Sequence, residues 1–427
     1  MLVPKVKKAQ EAGKERSMLV ALERDGDSHA DQVDSLDELA SLVGTAGGDV
    51  VRSVIQRLPR PTAPYYIGKG KAEEVAATCE EEEIHSVIFD DELSPAQSRN
   101  LSNVVKRKII DRTQIILDIF AFRAKTKEGK LQIELAQLNY LLPRLTRMWT
   151  HLSRQTGGIG TRGPGETQLE VDRRRVQEKI AKISRDLEAV RQHRATQRQG
   201  RSRHNWPVVS LVGYTNAGKS TLFNHLTRAE VLAEDKLFAT LDPTTRVVDL
   251  PEKQRALFTD TVGFIKKLPH DLVEAFKATL EEVCEADLLL HIVDLSHPQY
   301  DNQIVAVQEV LSQIGAHEKP ALVVFNKTDR VAPETVARVL DFHASSVAIS
   351  AETGEGIDGL LRAISDRLAA RRQRVHLLVP HNETSLVAEL HREGSVEEIS
   401  YEGDEIAVTA RIPPGLQRRI EPYLTKG

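Results

Sequence analysis

The sequence predicts an α/β protein of several domains, and three observations support this. Short apolar runs of strand length alternate with helix-like stretches over residues 18–125 and again over 206–371, which is typical of sheets covered by helices. Residues 126–205 between them have apolar side chains at helical spacing and many basic ones. Residues 372–427 read strand, helix, strand, strand, helix in a shorter pattern. We therefore expect an N-terminal α/β domain, a basic helical hairpin, a larger α/β domain and a small C-terminal α+β domain.

The first of these domains is predicted from short strands and helices. Strands are expected at 18–22, 65–67, 86–89 and 109–110, and helices at 35–43 and 71–82. The glycine-rich, basic stretch Gly68-Lys69-Gly70-Lys71 precedes the second helix. It either binds an anion or is a plain turn into the helix. Because it lacks the full spacing of a phosphate-binding loop, we favour the plain turn.

The second region predicts two helices, at 132–142 and 169–197, joined through the glycine-rich segment 157–166. Residues 141–205 contain 15 Arg and Lys against 6 Asp and Glu, a net charge of +9. The whole chain is −4, so the remainder carries −13. Such a charge run is either a solvated helix face or a nucleic-acid surface. Its position beside a glycine-rich loop favours RNA.

The third region begins with a phosphate-binding loop of the pattern G-x-x-x-x-G-K-S, between an apolar strand at 208–212 and a helix at 221–227. Its residues are Gly213, Tyr214, Thr215, Asn216, Ala217, Gly218, Lys219 and Ser220. The glycines let successive N–H groups face one anion, and the helix N-terminus points at the same place. We expect Lys219 to reach the β- and γ-phosphates of a nucleoside triphosphate and Ser220 to bind Mg²⁺.

The base is predicted from a tetrapeptide after the strand at 321–325. Its residues are Asn326, Lys327, Thr328 and Asp329, which resemble the N-K-x-D motif of GTPases. The Asp329 carboxylate can accept from N1–H and the 2-amino group of guanine, while adenine offers neither, so adenine would leave it unpaired. Ser350-Ala351, after a short strand, matches the last segment with which GTPases contact the base. We therefore expect a P-loop GTPase domain that binds GTP and GDP, with strands near 208, 247, 256, 288, 321 and 346.

Two loops are predicted to sense the γ-phosphate. The first comprises Phe238, Ala239, Thr240, Leu241 and Asp242, and the second comprises Asp260, Thr261, Val262 and Gly263. Asp260 would touch magnesium through water, and Gly263 would donate its N–H to the γ-phosphate. Thr240 would supply a hydroxyl ligand to magnesium, with Thr244 and Thr245 as competing candidates; resemblance to related GTPases favours Thr240. Loops that are ordered by the γ-phosphate and released on hydrolysis form a switch.

The hydrolytic residues depart from the Ras-like pattern, because Phe264 stands where those enzymes place a glutamine. A phenyl ring cannot polarise water, so we expect slow hydrolysis until a partner completes the site. Lys219 and Asn216 are the catalytic candidates. Asn216 resembles the asparagine by which several GTPases hold K⁺ near the phosphates, and bracing of the loop is an equally favoured role.

The composition sets further limits. Cys79 and Cys284 lie far apart and lack a C-x-x-C spacing, which argues against a disulfide framework or a zinc site. No apolar run approaches the roughly 18 residues of a membrane span. We therefore expect a cytoplasmic protein without a transmembrane segment. We further expect a monomer that does not bind DNA.

One family matches nearly the whole chain. The segment 157–170, reading GGIGTRGPGETQLE, and the nearby Asp172-Arg173-Arg174 resemble the signature of the HflX family of ribosome-associated GTPases. The segments 93–97, 111–113, 117–120 and 260–265 agree with it. The resemblance implies binding to the large ribosomal subunit and its rRNA in the GTP state, with the hairpin tip directed toward the peptidyl transferase region.

The same resemblance implies that stalled or idle ribosomes are split during heat and other stress. It also suggests a weak ATPase activity of the N-terminal domain. Only Gly68-Lys69-Gly70-Lys71 offers a sequence basis for that activity. Two other classes stay open: a GTPase that processes tRNA or mRNA, and a signalling GTPase with a protein partner. The first predicts a second catalytic site, and no nucleophile or metal cluster in the sequence suggests one.

Overall fold

The computed structural model describes residues 15–148, 168–201, 206–227, 237–251, 254–269, 272, 280–370, 373–403, 405–412 and 416–425. The chain forms two compact units. The first contains residues 1–187 with 235–238 and 267–275, and the second contains 188–234, 239–266 and 276–427. The predicted glycine-rich tip at 157–166 lies outside the described residues.

The first unit is built on a parallel sheet of four strands in the order β2-β1-β3-β4. The strands are β1 (Arg16–Glu23), β2 (Asp49–Arg57), β3 (Ser86–Phe89) and β4 (Lys108–Asp111), and the helices are α1 (His29–Thr45), α2 (Lys69–Glu81), α3 (Pro95–Val105) and α4 (Arg112–Arg123). Strands β1 and β3 are apolar on both faces and almost fully buried, as expected for strands covered by helices on both sides.

Two details of this sheet differ from the prediction. The expected strand at 65–67 is wrong, because Tyr66 has a left-handed backbone with φ of 67°, which an extended strand does not allow. Strand β2 was not predicted, because it lies at the sheet edge and most of its side chains are exposed or half-buried and polar. Gly68 caps α2, and its N–H donates to Gln56 Oε1 at 2.9 Å, consistent with the favoured plain turn.

Two long helices follow, as predicted, although both extend beyond the expected limits. They are α5 (Lys127–Met148) and α6 (Gln168–Arg201). An ion pair between Glu134 and Lys179 joins them. Ile183 and Leu187 of α6 are buried, while most other described side chains of this helix are exposed or half-buried.

The second unit contains a six-stranded sheet in the order β10-β9-β8-β5-β7-β6, parallel except for β6. Its strands are β5 (Val208–Gly213), β6 (Thr244–Asp249), β7 (Arg255–Asp260), β8 (Leu288–Asp294), β9 (Ala321–Asn326) and β10 (Val347–Ala348), with helices α7 (Lys219–Thr227), α8 (Tyr300–Gln313), α9 (Pro333–Phe342) and α10 (Ile357–Ala370). All six strands lie where the sequence predicted them. The carboxyl ends of the parallel strands bring the predicted motifs to one edge, where ligands bind in such sheets.

The C-terminal part forms an antiparallel sheet of three strands in the order β11-β13-β12. Its elements are β11 (Gln373–Pro380), α11 (Thr384–Glu393), β12 (Ser395–Glu402), β13 (Glu405–Ile412) and the short α12 (Gln417–Ile420), in the order that the sequence predicts. Over the described ranges, none of the helices has both the length and the apolar character needed to cross a bilayer.

Candidate nucleotide-binding site

The phosphate-binding loop joins β5 to α7 through unusual backbone angles. Gly213, Asn216 and Gly218 have φ values of 149°, 61° and 92°, a region that L side chains rarely adopt. A Cβ at Gly213 would lie 2.3 Å from the Ile292 carbonyl oxygen, and a Cβ at Gly218 would lie 2.2 Å from Asn326 Nδ2. Glycine is therefore required at both positions by the neighbouring strands as well as by the turn.

Lys219 is buried at the start of α7. Its ammonium donates to the carbonyl oxygens of Gly213 at 3.1 Å and Tyr214 at 2.7 Å. Burial lowers the pKa of the Lys219 side chain to about 8, although the nearby Asp260 carboxylate opposes the shift. The loop thus holds a cation over its own carbonyl groups, where an anion would be a stronger partner.

Three predicted magnesium-site residues meet between the loop and β7. Ser220 Oγ donates to Asp260 Oδ2 at 2.7 Å, Thr240 Oγ1 donates to the same oxygen at 3.0 Å, and the two hydroxyls lie 2.8 Å apart. The competing Thr245 instead bonds Thr259 at 3.0 Å, and Thr244 pairs with Asp260 across the backbone of β6 and β7. The structure therefore brings Thr240, and not Thr245, to Ser220.

Asp260 shows why a cation fits here. Its Oδ1 is buried and has no hydrogen-bond partner among the described residues. Burial raises the pKa of the Asp260 carboxyl, while Ser220, Lys219 and Thr240 oppose that shift. An unpaired buried carboxylate oxygen next to two hydroxyls is a hard oxygen donor set of the kind that suits Mg²⁺. No cluster of three or more His, Cys, Asp and Glu was found in the described ranges.

The segment after β7 passes close to the phosphate-binding loop. A Cβ at Gly263 would lie 2.8 Å from Thr215 Cα and 3.0 Å from Lys219 Nζ, so the Gly263 backbone lies at the loop without a side chain between them. Phe264 exchanges backbone hydrogen bonds with Gly213 and Thr215. Its ring is 2% exposed. A buried phenyl ring thus occupies the position at which Ras-like enzymes have a water-orienting glutamine.

The remaining residues of the two predicted loops have packing or backbone roles. Thr261 Oγ1 donates to the Leu211 carbonyl at 2.6 Å, and Val262 and Leu241 are buried. Ala239 and Asp242 are half-buried. Phe238 belongs to the first unit, where its ring is buried.

Asn326 connects the predicted base-binding segments. Its amide donates to the Ala217 carbonyl at 2.8 Å, and its Oδ1 accepts from the Ala351 N–H at 2.9 Å. The Thr328 N–H donates to the Ile349 carbonyl at 3.3 Å. One buried side chain therefore holds the phosphate-binding loop against the segment at Ser350-Ala351.

Asp329 remains accessible beside this connection, with 26% of its side chain exposed. Ser350 is buried, and its hydroxyl accepts from the Thr353 N–H at 3.2 Å. Asp329 therefore keeps part of its carboxylate exposed to solvent close to Asn326.

Two contacts of predicted site residues were not expected from the sequence. Lys327 forms an ion pair with Asp294 at 2.6 Å, and Asp294 ends β8, the strand next to β9. The Tyr214 hydroxyl accepts from the Lys266 N–H at 2.7 Å, so a variable position of the loop pattern holds the segment after Gly263. The end of an apolar strand was the available signal for Asp294, whereas the pattern has no requirement at Tyr214.

Comparisons with known proteins agree with this geometry. Residues 33–121 match the model described as GTP-binding GTPase N-terminal, residues 123–201 the GTP-binding GTPase middle region, and residues 208–327 the 50S ribosome-binding GTPase. The chain is 48% identical over 405 residues to GTPase HflX of Lacrimispora saccharolytica, covering 94% of each chain. It is 46% identical over 398 residues to GTPase HflX of Escherichia coli, covering 92% of this chain and 93% of that one.

Among solved structures, a similar chain is described as "crystal structure of SsGBP and GDP complex". It has 25% identity and a TM-score of 0.45, covering 82% of this chain and 98% of that one.

Proposed function

This chain belongs to the HflX family of GTPases, and we propose that it binds the large ribosomal subunit in the GTP state and splits stalled or idle ribosomes under heat and other stress. It is a GTP-binding and GTP-hydrolysing enzyme. The observation that carries the ribosomal proposal is the match of residues 208–327 to a 50S ribosome-binding GTPase. We place its action in the cytoplasm, as a monomer.

The proposed roles at the site follow from its geometry. Lys219 neutralises phosphate charge, and Asn326 with Asp329 selects guanine. Ser220 and Thr240 would hold a magnesium ion, and Asp260 would contact it through water. When bound, the ion supplies positive charge to the phosphates. Thr240 lies beside Ser220, and Gly263 lies beside Thr215 and Lys219, which supports our proposal that both residues respond to the γ-phosphate.

Position 264 has no side chain that could orient water for hydrolysis. Since the Phe264 ring is buried, the fold itself offers no polar replacement there. We infer that hydrolysis is slow in the isolated protein and accelerates when a partner supplies the missing group. Asn216, which is exposed on the loop, is the residue we assign to a K⁺ ion near the phosphates.

The proposed ribosome-binding arm is the hairpin of residues 126–205. Helix α6 has 34 residues, so it spans about 50 Å. It carries ten Arg and Lys against five Asp and Glu. Arg173, Arg174 and Arg175 are exposed near its N-terminus, next to the glycine-rich segment. A basic rod of this length can enter rRNA and release counterions from its phosphates.

The test is sedimentation of the purified protein with ribosomes through sucrose gradients, with GDP or a non-hydrolysable GTP analogue. We expect comigration with the large subunit only with the analogue, together with a smaller 70S peak. Replacing Arg173, Arg174 and Arg175 by glutamine should weaken this binding and reduce its salt dependence, while nucleotide affinity stays unchanged.

Two outcomes would contradict the proposal. Equal binding with both nucleotides would remove the switch, and analogue-dependent binding without loss of the 70S peak would remove the splitting activity. Absence of any ribosome binding, with normal GTP hydrolysis, would direct attention to tRNA, mRNA or a protein partner.

A further inference from the structure

Two short segments from the switch loops belong to the first compact unit. They are 235–238, which ends two residues before Thr240, and 267–275, which begins four residues after Gly263. Both loops predicted to sense the γ-phosphate are thus continued by residues of the first unit, of which 237–238, 267–269 and 272 are described. The contacts of these described residues show how they pack within the first unit.

Lys267 is the first of these contacts. Its ammonium lies 2.7 Å from Asp91 Oδ1 and also forms an ion pair with Asp90. The Asp90 side chain is 1% exposed and that of Asp91 18%, whereas Lys267 keeps 36%. The lysine therefore reaches from a partly exposed position into a carboxylate pair that is mostly shielded from water, where an ion pair is screened less than at the surface.

The carboxylate pair is held in place by the fold of the first unit. Asp90 and Asp91 follow β3 at the carboxyl edge of the sheet, next to β1, where the strand order reverses. Ligands of parallel sheets bind at such a position. Asp90 also accepts from Arg112 at 2.7 Å and from Ser35 at 2.8 Å. In this structure, the Lys267 ammonium of the same chain contacts the carboxylates at the point where the strand order reverses.

Asp91 is kept ionised by its surroundings. Burial alone would raise the pKa of its carboxyl, but Lys267, Tyr66 and Arg24 together hold the pKa below its usual value. The Arg24 guanidinium lies 2.8 Å from Asp91, and the Tyr66 hydroxyl donates to the same carboxylate. Lys267 therefore meets a carboxylate whose charge is also stabilised by two other groups, Tyr66 and Arg24.

Phe238 is the second contact. Its ring is 2% exposed and lies 4.5 Å, between ring centroids, from the Phe120 ring of α4. Phe238 and Lys267 also share a backbone feature: their φ values are 57° and 55°. Left-handed backbone at residues other than glycine costs energy and persists where surrounding contacts impose it. Lys267 and Phe238, which we call the two anchors, are thus held in a specific, strained backbone conformation.

From these contacts we propose that Lys267 and Phe238 are positioning residues through which the first unit favours the GTP-bound arrangement of the switch loops. In the same structure that has both anchors seated, the Thr240 hydroxyl lies 2.8 Å from Ser220 and 3.0 Å from Asp260. Tyr214 holds Lys266, the neighbour of Lys267, from the phosphate side. By linkage, any partner that displaces Lys267 from the carboxylates changes the preference between GTP and GDP.

This inference rests on the proposed roles of Thr240 and Gly263, and its test uses the full chain without ribosomes. The affinities of fluorescent GDP and of a non-hydrolysable GTP analogue are measured with Mg²⁺ for the wild type, Lys267→Met and Lys266→Met. Lys266 is a matched control, because its Nζ lies 3.5 Å from the Gln299 amide oxygen rather than at the carboxylates. Its bond to Tyr214 uses the backbone N–H, which methionine keeps. Lys267→Met should weaken analogue binding relative to GDP by roughly fivefold, and Lys266→Met should leave the ratio unchanged.

A second variant tests whether the effect passes through the carboxylates. Asp91→Asn should shift the ratio in the same direction. The double variant should shift it no further than Lys267→Met alone, because Lys267→Met already removes the contact that Asp91→Asn weakens. Additive effects would overturn the assigned contact. An unchanged ratio, or a ratio shifted toward the analogue, in a Lys267→Met protein with normal thermal unfolding would overturn the proposal.

An error in the proposed role of Thr240 can be distinguished from an error in the proposal about Lys267. Thr240→Ala should itself weaken analogue binding relative to GDP. If it does not, the role of Thr240 is wrong, whatever the Lys267 variants show. Because no ribosome is present, the ratio is also independent of the outcome of the sedimentation experiment.

Discussion

At the scale of single residues, His291 illustrates how the site constrains charge. It lies on β8 between Val212 of β5 and Val323 of β9, and it is 4% exposed. Burial, and to a lesser degree the nearby Lys219 ammonium, lowers the pKa of His291 to about 4. The imidazole is therefore neutral in the folded protein at neutral pH, and His291 adds no positive charge to that of Lys219.

This shift predicts a pH dependence of stability. The ordinary pKa of histidine is 6.5, so the unfolded chain takes up a proton below that value while folded His291 does not until about pH 4. The free energy of unfolding therefore falls as the pH is lowered through this window, by about 2 kcal/mol at about pH 5 for this residue alone. Thermal unfolding of the wild type should be more sensitive to acid than that of His291→Leu. Parallel pH profiles of the two proteins would contradict the shift.

At the scale of elements, the connection from β5 to α7 depends on what lies beside it. The loop pattern requires glycine at two positions because of the backbone angles there. At Gly213 the structure adds a steric reason, because the adjacent β8 backbone leaves no room for a Cβ. Gly70 provides a contrast, since it lies in α2 and a Cβ there would meet nothing within 4 Å.

The two glycines should therefore respond in opposite directions to alanine. Gly213→Ala should lower the free energy of unfolding by roughly 1–3 kcal/mol or more, because positive φ and a backbone clash act together. Gly70→Ala should be neutral or stabilising by up to about 1 kcal/mol, because a helical glycine loses more backbone entropy on folding than alanine. Chemical or thermal unfolding measures both. A Gly213→Ala protein as stable as the wild type would show that β8 can move.

At the scale of the whole molecule, the C-terminal sheet has its own core. The cluster formed by its buried side chains includes Val375, Leu377, Leu390, Val408 and Ile420, and all of its members lie between residues 375 and 423. The N-terminal sheet likewise has a cluster drawn from residues 18–109. Separate cores of this kind are the mark of domains that fold on their own.

We therefore expect a chain ending at residue 371 to keep its affinity for GDP within about twofold, since the motif residues and their contacts precede that point. Fluorescent-nucleotide titration measures this. The matched control is Leu377→Ala in the full chain, which removes a buried side chain of the C-terminal core and should destabilise that sheet by about 2–5 kcal/mol with unchanged GDP affinity. Loss of GDP binding in either protein would show that the tail supports the GTPase region.

Much of the architecture could be predicted because it depends on local patterns. Apolar runs such as 208–212 and 288–293 have few alternatives to buried strands, and the loop pattern requires glycine wherever a strand must turn into a helix around an anion. The expected strand at 65–67 failed because Tyr66 adopts a left-handed backbone, stabilised by contacts with Phe89 and Asp91 that are distant in sequence.

The sequence by itself determined the family, the guanine nucleotide and the positions of the phosphate and base motifs, because each depends on residue types at fixed spacing. Only the tertiary structure decided that Thr240 rather than Thr245 meets Ser220, that Asp294 pairs with Lys327, and that Lys267 is seated between Asp90 and Asp91. These are meetings of charges and hydroxyls separated by 20 to 177 residues. Sheet order and loop packing set such distances, and no local spacing encodes them.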